Sequence, residues 1–129
     1  MKIEHLAIWT RDLERMKEFY IRYFHAVAGN KYFNPKKQFT SYFLSFAEGP
    51  RIELMQMPGV AETNYQAGKP YFGLIHFAVS VGSEQEVDLI TEQLRKDGFR
   101  IIGEPRRTGD GYYESVVLDP EENTIEITA

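Results

Sequence analysis

Two histidines and two glutamates carry the chemistry this sequence offers. His5 and His76 each stand third in a largely apolar run, Ile3-Glu4-His5-Leu6-Ala7-Ile8 and Leu74-Ile75-His76-Phe77-Ala78-Val79, at an offset of 76 − 5 = 71 residues. Glu53 in Arg51-Ile52-Glu53-Leu54-Met55 and Glu126 in Thr124-Ile125-Glu126-Ile127-Thr128 follow at an offset of 126 − 53 = 73. Neutral imidazole nitrogen and carboxylate oxygen suit a divalent ion of the nickel, zinc, cobalt, iron or manganese group, and two carboxylates balance its charge. Taken singly, each residue has a plainer account: a strand histidine packs or hydrogen-bonds, and a strand glutamate faces solvent. The plain account does not explain why both residue types recur at matched places, as they do in one unit written twice.

The elements that must hold these residues follow from periodicity. Residues 3 to 9 alternate as a strand, with Leu6 and Ile8 on one face and Ile3, His5, Ala7 and Trp9 on the other. Asp12 is placed to cap a helix whose apolar face is Leu13, Met16, Phe19, Tyr20 and Phe24. That helix ends near His25, where a glycine would be easiest. Asn30 to Gln38 reads as a loop and Phe39 to Ala47 as an aromatic-rich strand, turned back by Glu48-Gly49-Pro50. Along Arg51 to Met55, Ile52 and Leu54 face the helix layer, so Arg51, Glu53 and Met55 face away from it.

The second half repeats the plan. Ser83 and Glu86 form a capping box ahead of Val87, Ile90, Thr91 and Leu94, and Gly98 stops the helix. Strands are expected at Phe99 to Gly103, Tyr112 to Leu118 and Thr124 to Thr128, the last two joined by the turn Asp119-Pro120-Glu121-Glu122-Asn123. Gly109-Asp110-Gly111 opens no helix, which argues against a phosphate cradle. One domain over residues 1–129 is expected, with module 1 at about 1–57, a connector at about 58–72 and module 2 at about 73–129.

Composition narrows the function classes. With no cysteine, thiolate nucleophiles and thiolate zinc sites are excluded, so a metal must be held by nitrogen and oxygen. A net charge of −4 disfavours nucleic acid as a partner, and Lys36-Lys37 and Arg106-Arg107 read as solvated loop charges. No stretch approaches the roughly 20 apolar residues of a membrane span. The chain enters a strand at once without a signal-peptide pattern, and a cytoplasmic location is expected.

The openings I-E-H-L-A-I-W-T-R-D-L and G-L-I-H-F-A-V-S-V, the R-I-E-L-M strand and the closing V-V-L-D-P-E-E-N-T-I-E-I resemble the vicinal oxygen chelate superfamily, and its glyoxalase I-like branch most. The resemblance implies an α+β fold of two β-α-β-β-β modules forming an eight-stranded, cup-shaped mixed sheet with helices outside, usually as a homodimer. It implies His5, Glu53, His76 and Glu126 as ligands of a divalent metal, with Glu126 as the base and Glu53 able to share or take over that role. The implied reaction converts the hemithioacetal of a 2-oxoaldehyde and a thiol into a 2-hydroxyacyl thioester through an enediolate. Trp9, Tyr42, Met55 and Tyr113 are then expected to line the cup, and Arg51 to bind substrate. Two rival readings stand beside it: a fosfomycin-type resistance enzyme using His5, His76 and Glu126, and a non-catalytic drug-binding module. Glu122 and His25 replace glycines common in the family, so Glu122 or Asn123 must take the left-handed backbone conformation.

Overall fold

The computed structural model describes residues 1–62, 66–67 and 69–129. The chain divides into two compact units, residues 1–64 and 65–129, and each is described by itself. The connector expected over about 58–72 falls in part on residues 63–65 and 68, which lie outside the described residues.

The first unit runs β1 (His5–Trp9), α1 (Leu13–Phe24), β2 (Val27–Ala28), β3 (Tyr32–Asn34), β4 (Phe39–Ser45) and β5 (Arg51–Gln56). Its sheet has the order β1-β5-β4-β2, with β3 also on β4. β1 and β5 run parallel, and the remaining pairs are antiparallel. Asp12 caps α1 as expected, its side chain accepting from the Arg15 N–H at 3.0 Å. The helix buries Leu13, Met16, Phe19, Tyr20, Tyr23 and Phe24, and packs on β4 and β5, where Leu44, Ile52 and Leu54 are buried. On its solvent side Lys17 and Lys31 both donate to Glu14, holding that carboxyl down at about 2.

The helix ends at His25, which adopts φ 53° and ψ 30°. A residue with a Cβ pays about 1–2 kcal/mol in that left-handed region, and glycine does not. His25→Gly is therefore expected to raise the unfolding free energy by about 1 kcal/mol in urea titrations. An unchanged or lower midpoint would show that the imidazole makes up for the strain.

The second unit runs β6 (Phe77–Ser80), α2 (Glu84–Lys96), β7 (Ile101–Arg107), β8 (Tyr113–Leu118) and β9 (Thr124–Thr128). Its sheet has the order β6-β9-β8-β7, with β6 and β9 parallel. Ser83 caps α2 by accepting from Glu86 N–H at 3.2 Å. Thr91 bridges helix and sheet in the buried core, its hydroxyl donating to Val87 O at 2.6 Å with Ser115 Oγ also 2.6 Å away. Val87, Leu94, Val117, Ile125 and Ile127 are fully buried in the same unit.

The turn into β9 is built on Asp119, which is 3% exposed. Its carboxylate accepts from Glu121 N, Asn123 N and Asn123 Nδ2 at 2.8–2.9 Å. Glu122 takes the left-handed position at φ 71°. The turn thereby sets the start of the strand that carries Glu126.

Two expectations are corrected. There is no eight-stranded cup: the described residues form nine strands in two separate mixed sheets of five and four, and neither closes on itself. Each hydrogen-bonded ladder runs from one open edge to another, β1 to β2 in the first unit and β6 to β7 in the second. The segment read as a loop, Asn30 to Gln38, also contains pairing, since β3 folds back on β4. Among the described residues, no helix is long and apolar enough to cross a membrane.

Candidate functional site

In each unit the geometry starts from a parallel strand pair. Along β5, Ile52 and Leu54 turn to the helix core, which sends Arg51, Glu53 and Met55 to the opposite face. The register places Glu53 opposite Ala7, two residues beyond His5, and the His5 Nε2 lies 3.8 Å from Glu53 Oε2. In β9, Ile125 and Ile127 are core and Glu126 faces away. Glu126 sits opposite Ala78, again two residues beyond a histidine, and His76 Nε2 lies 3.3 Å from Glu126 Oε2. The same register thus produces the same imidazole–carboxylate pair twice. The residue opposite each carboxylate is an alanine, the smallest side chain that has a Cβ.

Two donors about 2.1 Å from one cation stand roughly 3.0–3.4 Å apart at octahedral to tetrahedral angles. The second pair is already at that spacing, and the first is a few tenths of an ångström wider. The donor chemistry fits a divalent ion of the first transition series. Among the described residues no group of three or more His, Asp or Glu stands ready to hold a metal, and each unit brings together one histidine–glutamate pair.

The surroundings of the two pairs differ. Beside His5, the Phe43 ring stands edge-on at 5.3 Å, and Arg51 lies 4.1 Å above that ring. Glu4 touches His5 Nδ1 at 2.5 Å and accepts from Arg51 Nε at 2.8 Å; these hydrogen bonds, His5 first, hold its carboxyl below the usual range. Trp9 and Met55 are register partners on the face shared by His5 and Glu53. Phe39 meets Trp9 edge-on at 6.0 Å, and Tyr32 lies 6.1 Å from Phe39. This makes one end of the face aromatic. The equivalent positions of the second unit, four beyond His76 and two beyond Glu126, are Ser80 and Thr128, with Glu114 opposite Thr128. The Thr128 hydroxyl is buried with no hydrogen-bond partner among the described residues, and Glu114 lies 3.4 Å from Arg106.

Two residues expected at the site lie elsewhere. Tyr42 donates to Glu14 of α1 at 3.1 Å, and Tyr113 to Asp88 of α2 at 2.9 Å, so both sit on the helix side of their sheets. The hydrogen bond to Asp88 holds the Tyr113 hydroxyl above its ordinary pKa. Arg51 is on the expected face, but its guanidinium is engaged by Glu4 and Phe43. The reading of the sequence missed Phe43, Phe39 and Glu4. Parity separates Phe39, Ser41 and Phe43 from Tyr42 and Leu44, but with aromatic residues in both sets it does not say which set faces the core.

Known proteins agree with this architecture. The chain matches the Glyoxalase/Bleomycin resistance protein/Dioxygenase superfamily over residues 2–127. A glyoxalase I mutant from Zea mays superposes with a TM-score of 0.77 at 26% identity, covering 98% of this chain and 44% of its own. This chain therefore spans less than half the length of the maize protein. The trypanothione-dependent glyoxalase I of Leishmania major gives 0.74 at 22% identity, with 99% of this chain and 86% of that one covered. A glyoxylase/bleomycin resistance protein/dioxygenase domain from a Frankia species gives 0.80 at 18%, covering 99% and 96%. At those last two identities the likeness is one of fold. No curated protein matches the chain. By the match that spans nearly its whole length, the chain belongs to the glyoxalase/bleomycin resistance protein/dioxygenase superfamily.

Proposed function

We propose that this protein is a glyoxalase I-like lyase in which His5, Glu53, His76 and Glu126 hold one divalent metal ion. The observation that carries the reading is the repeated register: in both units a carboxylate pairs opposite the alanine two residues beyond a histidine. Bound by these residues, a nickel, zinc, cobalt, iron or manganese ion would supply Lewis-acid stabilisation of negative charge developing on the substrate's oxygens.

The protein's own residues do the remaining work. Glu126 takes the proton from the carbon that bears sulfur and hydroxyl in the hemithioacetal and returns it to the neighbouring carbonyl carbon, while the hydroxyl proton passes from the first oxygen to the second. No atom is gained or lost, and the product is a 2-hydroxyacyl thioester. A carboxylate next to an imidazole is suited to this because it can accept the proton without leaving its position. Glu53 faces the equivalent histidine and is the alternate base. Trp9, Met55, Phe39 and Phe43 offer an apolar wall for the substituent on the oxoaldehyde, and Ser80, Thr128 and Glu114 offer polar groups at the equivalent places in the other unit.

The test is turnover of methylglyoxal with a panel of thiols on protein loaded with each candidate metal, followed by thioester absorbance. Thioester formation that depends on both metal and thiol supports the reading. Loaded protein that is inert toward every hemithioacetal but opens an epoxide would replace it with the fosfomycin-type chemistry.

A further inference from the structure

We propose that Glu4 is a positioning residue that holds the His5 imidazole with its Nε2 free for a metal, and that the first histidine–glutamate pair is preorganised in this way while the second is not. The inference rests on the metal-binding reading above.

The Glu4 carboxylate is committed on both oxygens. One meets His5 Nδ1 at 2.5 Å, and the other accepts from Arg51 through Nε, at 2.8 Å, and Nη2. Its backbone carbonyl accepts from Arg51 N–H at 3.0 Å, so the residue is fixed through main chain and side chain to the first residue of β5. Arg51 lies over Phe43, and Phe43 stands edge-on to His5. Glu4, Arg51 and Phe43 thus close a ring of contacts with the imidazole.

A neutral imidazole has one N–H and one lone pair, and an ionised carboxylate only accepts. With Glu4 on Nδ1, the proton belongs on Nδ1 and the lone pair on Nε2. Nε2 is the atom 3.8 Å from Glu53. A carboxylate behind a ligating histidine fixes ring and tautomer together, and its loss typically costs 10–100-fold in metal affinity.

The repeat supplies an internal comparison. The residue before His76 is Ile75, and two before Glu126 stands Thr124 where the first unit has Arg51. Opposite Glu126 is Val116, where Phe43 lies opposite Glu53. All three supporting residues are exchanged for side chains without charge, while the histidine and the glutamate are kept.

Glu4 lies just ahead of β1, with over half of its side chain open to solvent, so Glu4→Gln leaves the core untouched. The experiment takes the full chain labelled with 15N-histidine, metal-free, at a pH where the imidazoles are neutral, and then titrates it with nickel by calorimetry. The expected result has three parts. His5 is in the Nδ1–H form in the unsubstituted protein and a tautomer mixture in Glu4→Gln, His76 is unchanged, and the nickel Kd rises 10–100-fold. An unchanged His5 tautomer, or an unchanged Kd, overturns the proposal. Unsubstituted protein that binds no nickel but shows the tautomer change overturns the metal reading instead and leaves the orienting contact standing.

Discussion

Glu126→Gln is expected to cut kcat for hemithioacetal isomerisation by about 10²–10⁴-fold at saturating metal. The amide keeps the size and the oxygen of the carboxylate, so the side chain can still face His76 across 3.3 Å. What it loses is the capacity to accept and return a proton. Because Glu126 is also a proposed donor, the assay must be run with metal titrated to saturation for each variant. A drop that metal restores would report weakened binding, and one that persists would report the missing base. Glu53→Gln is the control that the repeat provides, with the same register and the same face. A larger persistent loss in Glu53→Gln than in Glu126→Gln would exchange the two roles.

Leu54→Ala is expected to cost about 2–5 kcal/mol, while Glu53→Gln, one residue away, shifts stability by about 1 kcal/mol or less. Leu54 is fully buried between β5 and α1, and truncation leaves a cavity that close-packed neighbours fill only in part. A domain of this size has about 5–15 kcal/mol in all, so the loss is a large share of the total. Urea unfolding followed by circular dichroism measures both variants. The contrast tests whether β5 separates fold from chemistry by alternation alone. Equal costs at the two positions would mean that the face carrying Glu53 is packed as core.

That alternation explains how much could be read in advance. In Arg51-Ile52-Glu53-Leu54-Met55 and Thr124-Ile125-Glu126-Ile127-Thr128 the apolar residues occupy one parity, so the face of each glutamate follows from the sequence and the structure agrees. The helix caps at Asp12 and Ser83 were legible because an accepting side chain stands just ahead of each amphipathic run. In β4 the signal fails. Phe39 and Phe43 lie on one parity and Tyr42 and Leu44 on the other, so only the pairing of Leu44 with Ile52 decides which face is core. β8 is equally ambiguous, with Val117 and Leu118 both buried, and Tyr113 was assigned to the wrong side. Strands as short as β2 and β3, of two and three residues, are too brief for periodicity to register. The division into two open sheets is a matter of which edges hydrogen-bond, and no local pattern carries that information. Glu4 escaped notice for a related reason: its role lies in a contact with Arg51, 47 residues away in sequence.

The central claim is that the two histidine–glutamate pairs bind one metal ion, and the most direct measurement is metal content per chain after loading and desalting. The account predicts about one divalent ion per chain in the unsubstituted protein and little in His5→Ala or Glu126→Ala, because each variant removes a donor from a different unit. Protein that folds but retains no metal, or that keeps its full complement in both variants, would contradict it.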